Sequence, residues 1–330
     1  MYPELFKIPF TELTVKSYGF MMVVGFLIAI HIVRGLSRRL GHNPEHITNV
    51  AIYALITGIV GARVFYVVHY WGNFKNSPIE VFFVWKGGLE LLGGVISAIL
   101  MIIIYLWVQK LPIRRYLDIL AIGLMIALAF GRVGCLLNGC CHGKLCSQPW
   151  AITFPYASIA YTSQVYADPA RDRTEPYFTL PDEFYRNYFD QDGQTRRLLL
   201  DDSRLTFEQR NKLRMMKMYR SLPVHPTQIY SSIKGLLITL ILYLFWKSGV
   251  KAREGLIPYN RIYKAGTTSA LMLMLYGPAR FAIEFFRDGN PYEIGHLTIS
   301  QIMGAGLFAL GLLLMFIFTL VKDSEFLPEK

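Results

Sequence analysis

Charge is what this chain has least of. Only 17% of its 330 residues are Asp, Glu, Lys or Arg, and 53% are hydrophobic. A soluble domain usually carries about 25% charge. A length of 330 residues would allow two soluble domains of about 150 each, but the shortage of charge excludes ordinary cytosolic enzymes and disordered chains. The sequence also lacks internal repeats, low-complexity tracts and Walker or Rossmann phosphate loops, since its glycines lie in apolar runs rather than after a strand. The net charge of +11 does not point to nucleic acid. The basic residues form no dense stripe with interleaved aromatics. Cysteine is scarce too: four residues, Cys135, Cys140, Cys141 and Cys146, all in one short stretch.

The charge that is present is concentrated. Twelve basic and ten acidic residues fall in residues 144–220. Outside that block lie seven apolar segments long enough to cross a bilayer, which takes about 20 residues: 18–36, 50–70, 88–108, 117–137, 228–246, 266–286 and 297–321. They are continuous rather than alternating, as expected for helices and not barrel strands. The first runs into Arg34, Arg38 and Arg39 and does not read as a cleaved signal. The expected fold is therefore an all-α polytopic membrane protein with seven transmembrane helices. Residues 1–143 would hold helices 1–4 and residues 144–225 an extracytoplasmic head. Residues 226–330 would hold helices 5–7 and a cytoplasmic tail.

Orientation follows from Lys and Arg in the short connections. One side collects Arg34, Arg38, Arg39, Lys110, Arg114, Arg115, Lys247, Lys251, Arg253, Arg261, Lys264, Lys322 and Lys330. The other has Lys7, Lys16, Lys75, Lys86 and the borderline Arg287. The richer side is expected in the cytoplasm, with the N-terminus outside and the C-terminus inside. Within the insert, residues 205–219 read as a short helix, solvated or resting on lipid headgroups.

Charge inside an apolar span is costly and needs a reason. The run Tyr276-Gly277-Pro278-Ala279-Arg280-Phe281-Ala282-Ile283-Glu284-Phe285-Phe286-Arg287 places Arg280, Glu284 and Arg287 on one helix face. They form either a pair that satisfies itself or an anion site, because two guanidiniums around one carboxylate leave a positive excess. The fourth span ends Gly131-Arg132-Val133-Gly134-Cys135-Leu136-Leu137-Asn138-Gly139-Cys140-Cys141-His142-Gly143-Lys144. Arg132 sits near its end, where it is able to snorkel, and Asn138 either bonds an oxygen or caps the helix. Arg63 lies well inside the second span, after Gly58 and Gly61, and requires a buried acceptor. His225-Pro226-Thr227-Gln228-Ile229-Tyr230 opens the fifth span, with Gln228 and Tyr230 placed to face a cavity. Tyr18 opens the first.

The cysteines show no recognised zinc spacing, although His142 adds a further donor. A disulfide is open in an oxidising compartment, and spacing selects no pairing. Cys135 reads as small apolar packing. No metal or other cofactor is assigned.

These motifs together resemble the bacterial phosphatidylglycerol–prolipoprotein diacylglyceryl transferases, in a cysteine-rich variant of their signature. The resemblance covers nearly the whole chain: Tyr18-Gly19, Gly61-Ala62-Arg63, Gly87-Gly88 with Gly93-Gly94, Gly131-Arg132-Val133-Gly134 through Asn138-Gly139, the His225 to Tyr230 run, and Arg280 to Arg287. It implies transfer of a diacylglyceryl group from phosphatidylglycerol to the lipobox cysteine of a prolipoprotein, with glycerol phosphate leaving. It also implies seven spans in the bacterial cytoplasmic (inner) membrane, an outside N-terminus, bilayer lipid and lipobox peptides as partners, and a monomer as the working unit. By likeness Arg132 and Arg280 hold the phosphate, supported by Glu284, Arg287 and Asn138. Tyr18, Gln228 and Tyr230 line the substrate site, and Arg63 belongs to it as well. The family signature carries Asn, Glu and Arg where this chain has Cys135, Cys140 and Lys144, and a Tyr or His where this chain has Leu92. Glu90, Glu284 or His225 would then serve as base, or the positive site would itself lower the substrate thiol pKa enough. Two other readings compete: a transporter of an anionic substrate and a non-catalytic phospholipid-binding protein. The one-sided placement of the polar groups argues against the first, while Leu92 is consistent with the second.

Overall fold

A computed structural model describes residues 4–7, 14–75, 77–84, 87–171, 173–189, 195–258, 260–288 and 291–321. Lys86, Lys322, Lys330 and the C-terminal tail, all used for the expected orientation, lie outside the described residues. The described chain is mostly helical. Strands β1 (Glu4–Lys7) and β2 (Thr14–Lys16) precede α1 (Ser17–Arg39), α2 (Pro44–His69), the short α3 (Trp71–Phe74), α4 (Leu91–Val108) and α5 (Ile113–Asn138). Between α5 and the next long helix lie α6 (Ile159–Val165), β3 (Tyr185–Phe189), β4 (Thr195–Leu199) and α7 (Phe207–Met215). Then follow α8 (Thr227–Arg253), α9 (Thr267–Glu284), β5 (Tyr292–Ile294), β6 (Leu297–Thr298) and α10 (Ile299–Leu320).

Six of these helices, α1, α2, α4, α5, α8 and α10, are long and apolar enough to cross a membrane. The segment expected to be the sixth span is α9. It forms as a helix of 18 residues but is not among the six. Thr267, Thr268, Ser269, the internal Pro278, Arg280 and Glu284 dilute its apolar character. The expected all-α architecture also needs correcting. Three antiparallel hairpins are present, β1–β2, β3–β4 and β5–β6. In β3–β4, Tyr185 faces Leu199 and Asn187 faces Arg197. The run Tyr-Arg-Asn-Tyr-Phe, then Asp192-Gly193, then Thr-Arg-Arg-Leu-Leu carries a typical hairpin signature.

The chain divides into two compact units, residues 1–26, 125–241 and 271–313, and residues 27–124, 242–270 and 314–330. Five helices, α1, α5, α8, α9 and α10, contribute a portion to each.

In the second unit, α2 packs on α4 through glycines. A Cβ on Gly61 would collide with Ser97 Oγ and lie 2.9 Å from the Gly93 carbonyl oxygen, and one on Gly94 would lie 3.0 Å from the Gly58 oxygen. Small residues here let two backbones meet in a medium that offers no hydrophobic drive between helices. A buried carboxylate holds the start of α9. Asp118, 3% exposed on α5, accepts hydrogen bonds from the backbone N–H groups of Gly266 (2.7 Å) and Ser269 (2.8 Å). It caps a helix that is remote in sequence, satisfying donors that otherwise have no intrahelical partner.

In the first unit, α9 and α10 touch at Gly277 and Gly304. A Cβ on Gly277 would collide with the Gly304 oxygen and stand 2.9 Å from the Phe308 nitrogen. The polar block between α5 and α8 has a core of its own. Tyr156, Tyr161, Val165, Leu180, Phe184, Leu199, Leu205 and Leu213 are all buried together. Helix α7 falls within the 205–219 stretch read as helical. A capping box starts it: the Thr206 hydroxyl accepts from Gln209 N–H, and the Gln209 side chain accepts from Thr206 N–H.

Asp118→Ala removes both acceptors from the α9 N-terminus. It is expected to lower stability by about 2–3 kcal/mol, read as a fall in thermal midpoint of the detergent-solubilised protein. An unchanged midpoint would show that the cap is dispensable.

Candidate active site

The site begins where α5 stops. Gly139 adopts φ +76°. Its N–H bonds the Leu136 oxygen (3.2 Å) and the Cys140 N–H bonds the Cys135 oxygen (3.1 Å). This is a Schellman motif, which brings the side chains at the two ends of the outer bond together. Here those side chains are Cys135 and Cys140. Cys141 follows at φ +59°, a left-handed conformation uncommon for a residue with a Cβ. Two side chains from α8 hold this strained turn: Thr227 Oγ1 donates to the Cys141 oxygen (2.7 Å) and Gln228 Nε2 to the Cys140 oxygen (2.8 Å). The Sγ atoms of Cys135, Cys140 and Cys141 all lie within 4.8 Å of one another, and none is in a disulfide. Hydrogen bonds from the Cys135 and Cys140 thiols, and then the Arg287 and Arg132 guanidiniums, draw the Cys141 thiol below its ordinary range despite burial. Sequence spacing held no sign of this convergence, because a helix cap and one left-handed residue create it. His142 does not join in. Its ring nitrogens lie 3.2 Å from the Gly143 oxygen and 3.1 Å from Ser163 Oγ.

The chain then runs as an extended segment bonded on both sides. Gly143 N–H donates to the His225 oxygen (3.0 Å) and His225 N–H to the Lys144 oxygen (3.0 Å). On the other edge Lys144 N–H donates to the Phe286 oxygen (2.9 Å) and Asp288 N–H to the His142 oxygen (3.2 Å). Gly143 has no room for a side chain. A Cβ there would lie 2.5 Å from His225 Cβ and 2.7 Å from the Phe286 oxygen. This ladder joins the ends of α5 and α9 to the start of α8.

Helix α9 delivers Arg280 and Glu284 but ends there, and Arg287, expected on the same helix face, sits beyond it in a bridge to Gly143. Arg280 pairs with Glu284, and its other guanidinium nitrogen donates to Ser300 Oγ (2.6 Å). Glu284, 5% exposed, also accepts from Thr298 Oγ1 (3.3 Å), and Arg287 Nη1 stands 4.0 Å from it. The second Arg287 terminal nitrogen reaches Cys141 Sγ at 3.2 Å. Arg287 thus links the carboxylate to the thiols. Arg132 lies within electrostatic range of Cys141, Cys135, Tyr276 and Tyr18. Lys234 on α8 lies over the Tyr276 ring, 4.5 Å from its centroid, and within electrostatic range of Arg132 and Arg280.

Of the residues read from sequence, Arg132, Arg280, Glu284, Arg287, Asn138, Gln228 and Tyr18 come together here. The Asn138 side chain bonds the Cys140 thiol, and Tyr18 packs its backbone on Gly134. His225 and Tyr230 form an adjoining aromatic platform instead. The His225 ring stacks edgewise on Phe286 at 5.2 Å, its Nδ1 is 3.3 Å from Tyr230 Oη, and that phenol also accepts from Trp150 Nε1 (2.8 Å). Arg63 belongs to the other unit. Its guanidinium donates to the backbone oxygens of Glu80, Val81 (2.8 Å), Gly87 (2.8 Å) and Gly88 (3.0 Å) and lies over Tyr66 and Phe74. The buried acceptor it requires is thus the backbone of Glu80, Val81, Gly87 and Gly88. Glu90 is in that unit too, 3.5 Å from His69 Nδ1.

Two groups escaped the sequence reading. Lys234 had a signal, a lone cation inside an apolar run. Thr298 and Ser300 had none, since ordinary hydroxyls at a hairpin end predict no contact with a distant helix.

These features define a helical membrane protein with a cationic cluster set among its helices. A family model for prolipoprotein diacylglyceryl transferase matches residues 3–317. A phosphatidylglycerol–prolipoprotein diacylglyceryl transferase of Paraburkholderia phymatum is 29% identical over 302 residues, 88% of this chain and 84% of that protein. The similarly named transferase 2 of Clostridium perfringens is 26% identical over 304 residues, 92% and 90% of the two chains. The Clostridium tetani protein of that name is 24% identical over 312 residues, covering 94% and 96%. The chain belongs to the prolipoprotein diacylglyceryl transferase family.

Glu284 is the buried counter-charge of this cluster, so Glu284→Gln is expected to cost about 3–5 kcal/mol, the usual effect of orphaning buried charge. Lys234→Met, which replaces a cation among cations with a side chain of similar length, is expected to be neutral or stabilising. Thermal unfolding in detergent separates the two; the reverse order would mean that Lys234, not Glu284, holds the cluster together.

Proposed function

We propose that this protein transfers the diacylglyceryl group of phosphatidylglycerol to the cysteine thiol of a prolipoprotein, with release of glycerol phosphate. The observation that carries this reading is the convergence of Arg132, Lys234 and Arg280, with the buried Glu284 carboxylate paired to Arg280. Such a cluster binds an anion, and its place among apolar helices favours an anion attached to a lipid. The thiol sulfur attacks the glycerol carbon that bears the phosphate ester. A C–S bond forms as the C–O bond breaks, and the electron pair leaves on the phosphate. Negative charge grows on that phosphate, and fixed cations in a dry site stabilise it more than water would.

Arg132 and Arg280 are assigned to the phosphate, with Lys234 as a third cation. Glu284 orients Arg280, and Arg287 and Asn138 support the pocket from the thiol side. Tyr18, Gln228, Tyr230 and His225 line the approach for lipid or peptide. In this reading α9 crosses the bilayer as the seventh span, its charged face turned to the pocket rather than to lipid. The N-terminus and the 144–225 block face outward from the bacterial inner membrane, the tail is cytoplasmic, and a monomer suffices.

Purified protein supplied with phosphatidylglycerol and a lipobox peptide is expected to yield diacylglyceryl peptide, detected by mass spectrometry. Arg280→Ala should slow turnover by about 10²-fold or more, the size expected for one anion-stabilising group. No product from folded protein would sink the assignment; full activity in Arg280→Ala would remove Arg280 from the phosphate.

A further inference from the structure

The geometry points to Cys135, Cys140 and Cys141 as a three-thiolate zinc site whose open position receives the acceptor thiol. This inference rests on the transferase reading above and names what activates its nucleophile.

Three sulfurs already lie within 4.8 Å of one another. Tetrahedral zinc with Zn–S bonds of about 2.3 Å sets its sulfurs about 3.8 Å apart, so side-chain rotation alone closes the difference. The backbone is fixed beforehand. The Schellman turn sets Cys135 against Cys140, and Thr227 and Gln228 pin the left-handed Cys141. Outer donors are present as well. Asn138 bonds the Cys140 sulfur and Arg287 the Cys141 sulfur, in the way that metal ligands are usually steadied from outside. The charges are compatible. Three thiolates around Zn2+ carry one net negative charge, and Arg132 and Arg287 both lie within electrostatic range of Cys141.

The site has three protein ligands and, among the described residues, no fourth. His142 is turned to Gly143 and Ser163. Three protein ligands with an open position is the arrangement of a catalytic rather than a structural zinc site. The reaction needs what such a site supplies. Of the three candidate bases, Glu284 is tied to Arg280 and Thr298, the His225 ring is held by Tyr230 and Phe286, and Glu90 lies beside His69 in the other unit. A thiol bound to zinc is deprotonated outright and remains nucleophilic. The peptide thiol gives its proton to water on binding. Its sulfur then forms the C–S bond while the C–O bond to phosphate breaks. The electron pair leaves with glycerol phosphate, which draws any proton it needs from water. Zinc changes no oxidation state. Arg287 touches both the thiol cluster and Glu284, so nucleophile and phosphate sites share a wall.

The test uses full-length protein purified in detergent under reductant. Elemental analysis after loading with zinc should give an equimolar amount, lost in Cys135→Ser and Cys140→Ser and kept in Cys146→Ser. Because the serine variants are at risk of misfolding, cobalt is exchanged into the unaltered protein. Thiolate-to-cobalt charge-transfer bands are expected, and a lipobox peptide, but not its Cys→Ser analogue, should shift the visible bands. Absence of bound zinc and of those bands overturns the site, and an unmoved cobalt spectrum overturns the open position. Metal-free protein that still makes thioether at the full rate overturns the zinc while leaving the transferase reading intact. A cobalt spectrum that answers the cysteine peptide, with no thioether from zinc-loaded protein, supports the site and counts against the transferase reading instead.

Discussion

One extended segment, residues 143–146, holds the site together. Its backbone is hydrogen-bonded to residues 223–225 on one edge and, at Lys144, to Phe286 on the other. The three runs are far apart in sequence, and each leads into a different helix end. The geometry leaves no tolerance at the centre, because a side chain on Gly143 would meet the His225 and Phe286 backbones at once. The need is physical. These are polar backbone groups beside apolar helices, where an unpaired N–H or C=O costs several kcal/mol. The ladder satisfies them mutually, and in doing so it fixes the thiol turn, the start of α8 and Arg287 relative to one another.

Two kinds of inward charge stand out among the described residues. Arg63 and Asp118 are each satisfied by backbone groups: Arg63 by the carbonyls of the 80–88 segment, Asp118 by the first N–H groups of α9. Such contacts neutralise desolvation locally and leave little field to act on a ligand. Arg132, Lys234 and Arg280 gather instead in one place, with the Glu284 carboxylate paired to Arg280. Like charges held together in a poorly screened medium repel. A fold keeps such a group where an anion offsets the repulsion.

The sequence carried much of this and concealed the rest for definable reasons. Long apolar runs marked every long helix, because a bilayer-scale stretch almost free of charge is at home in lipid and seldom elsewhere. The i, i+4 spacing of Arg280 and Glu284 survives because helical periodicity is local, whereas Arg287, expected one turn further on the same face, lies past the end of α9 in a backbone bridge to Gly143. Arg63 illustrates the limit. Its burial was legible and its partners were not, since backbone oxygens of another segment leave no mark in composition. The thiol cluster was hidden for a similar reason. Spacing rules for metal ligands assume familiar loops, whereas here a helix cap and one left-handed residue fold a five-residue interval onto itself. Lys234 was visible as a cation in an apolar run, but its meaning depends on Arg132 and Arg280 from two other helices.

The polar block between α5 and α8 fits the same logic. Its two ends are bonded to each other at its base: Gly143 and Lys144 to His225, Cys146 to Pro223, and Ile152 to Val224. Its interior is a separate hydrophobic core around Tyr161, Phe184 and Leu213. A segment closed at its base and packed on itself transmits little strain to what lies beneath, and loop-closure entropy grows only slowly with the length enclosed. It meets the ladder and its flank at several points: His142 is held by Ser163 of α6, Arg173 pairs with Asp288 at 3.5 Å, and Trp150 donates to Tyr230.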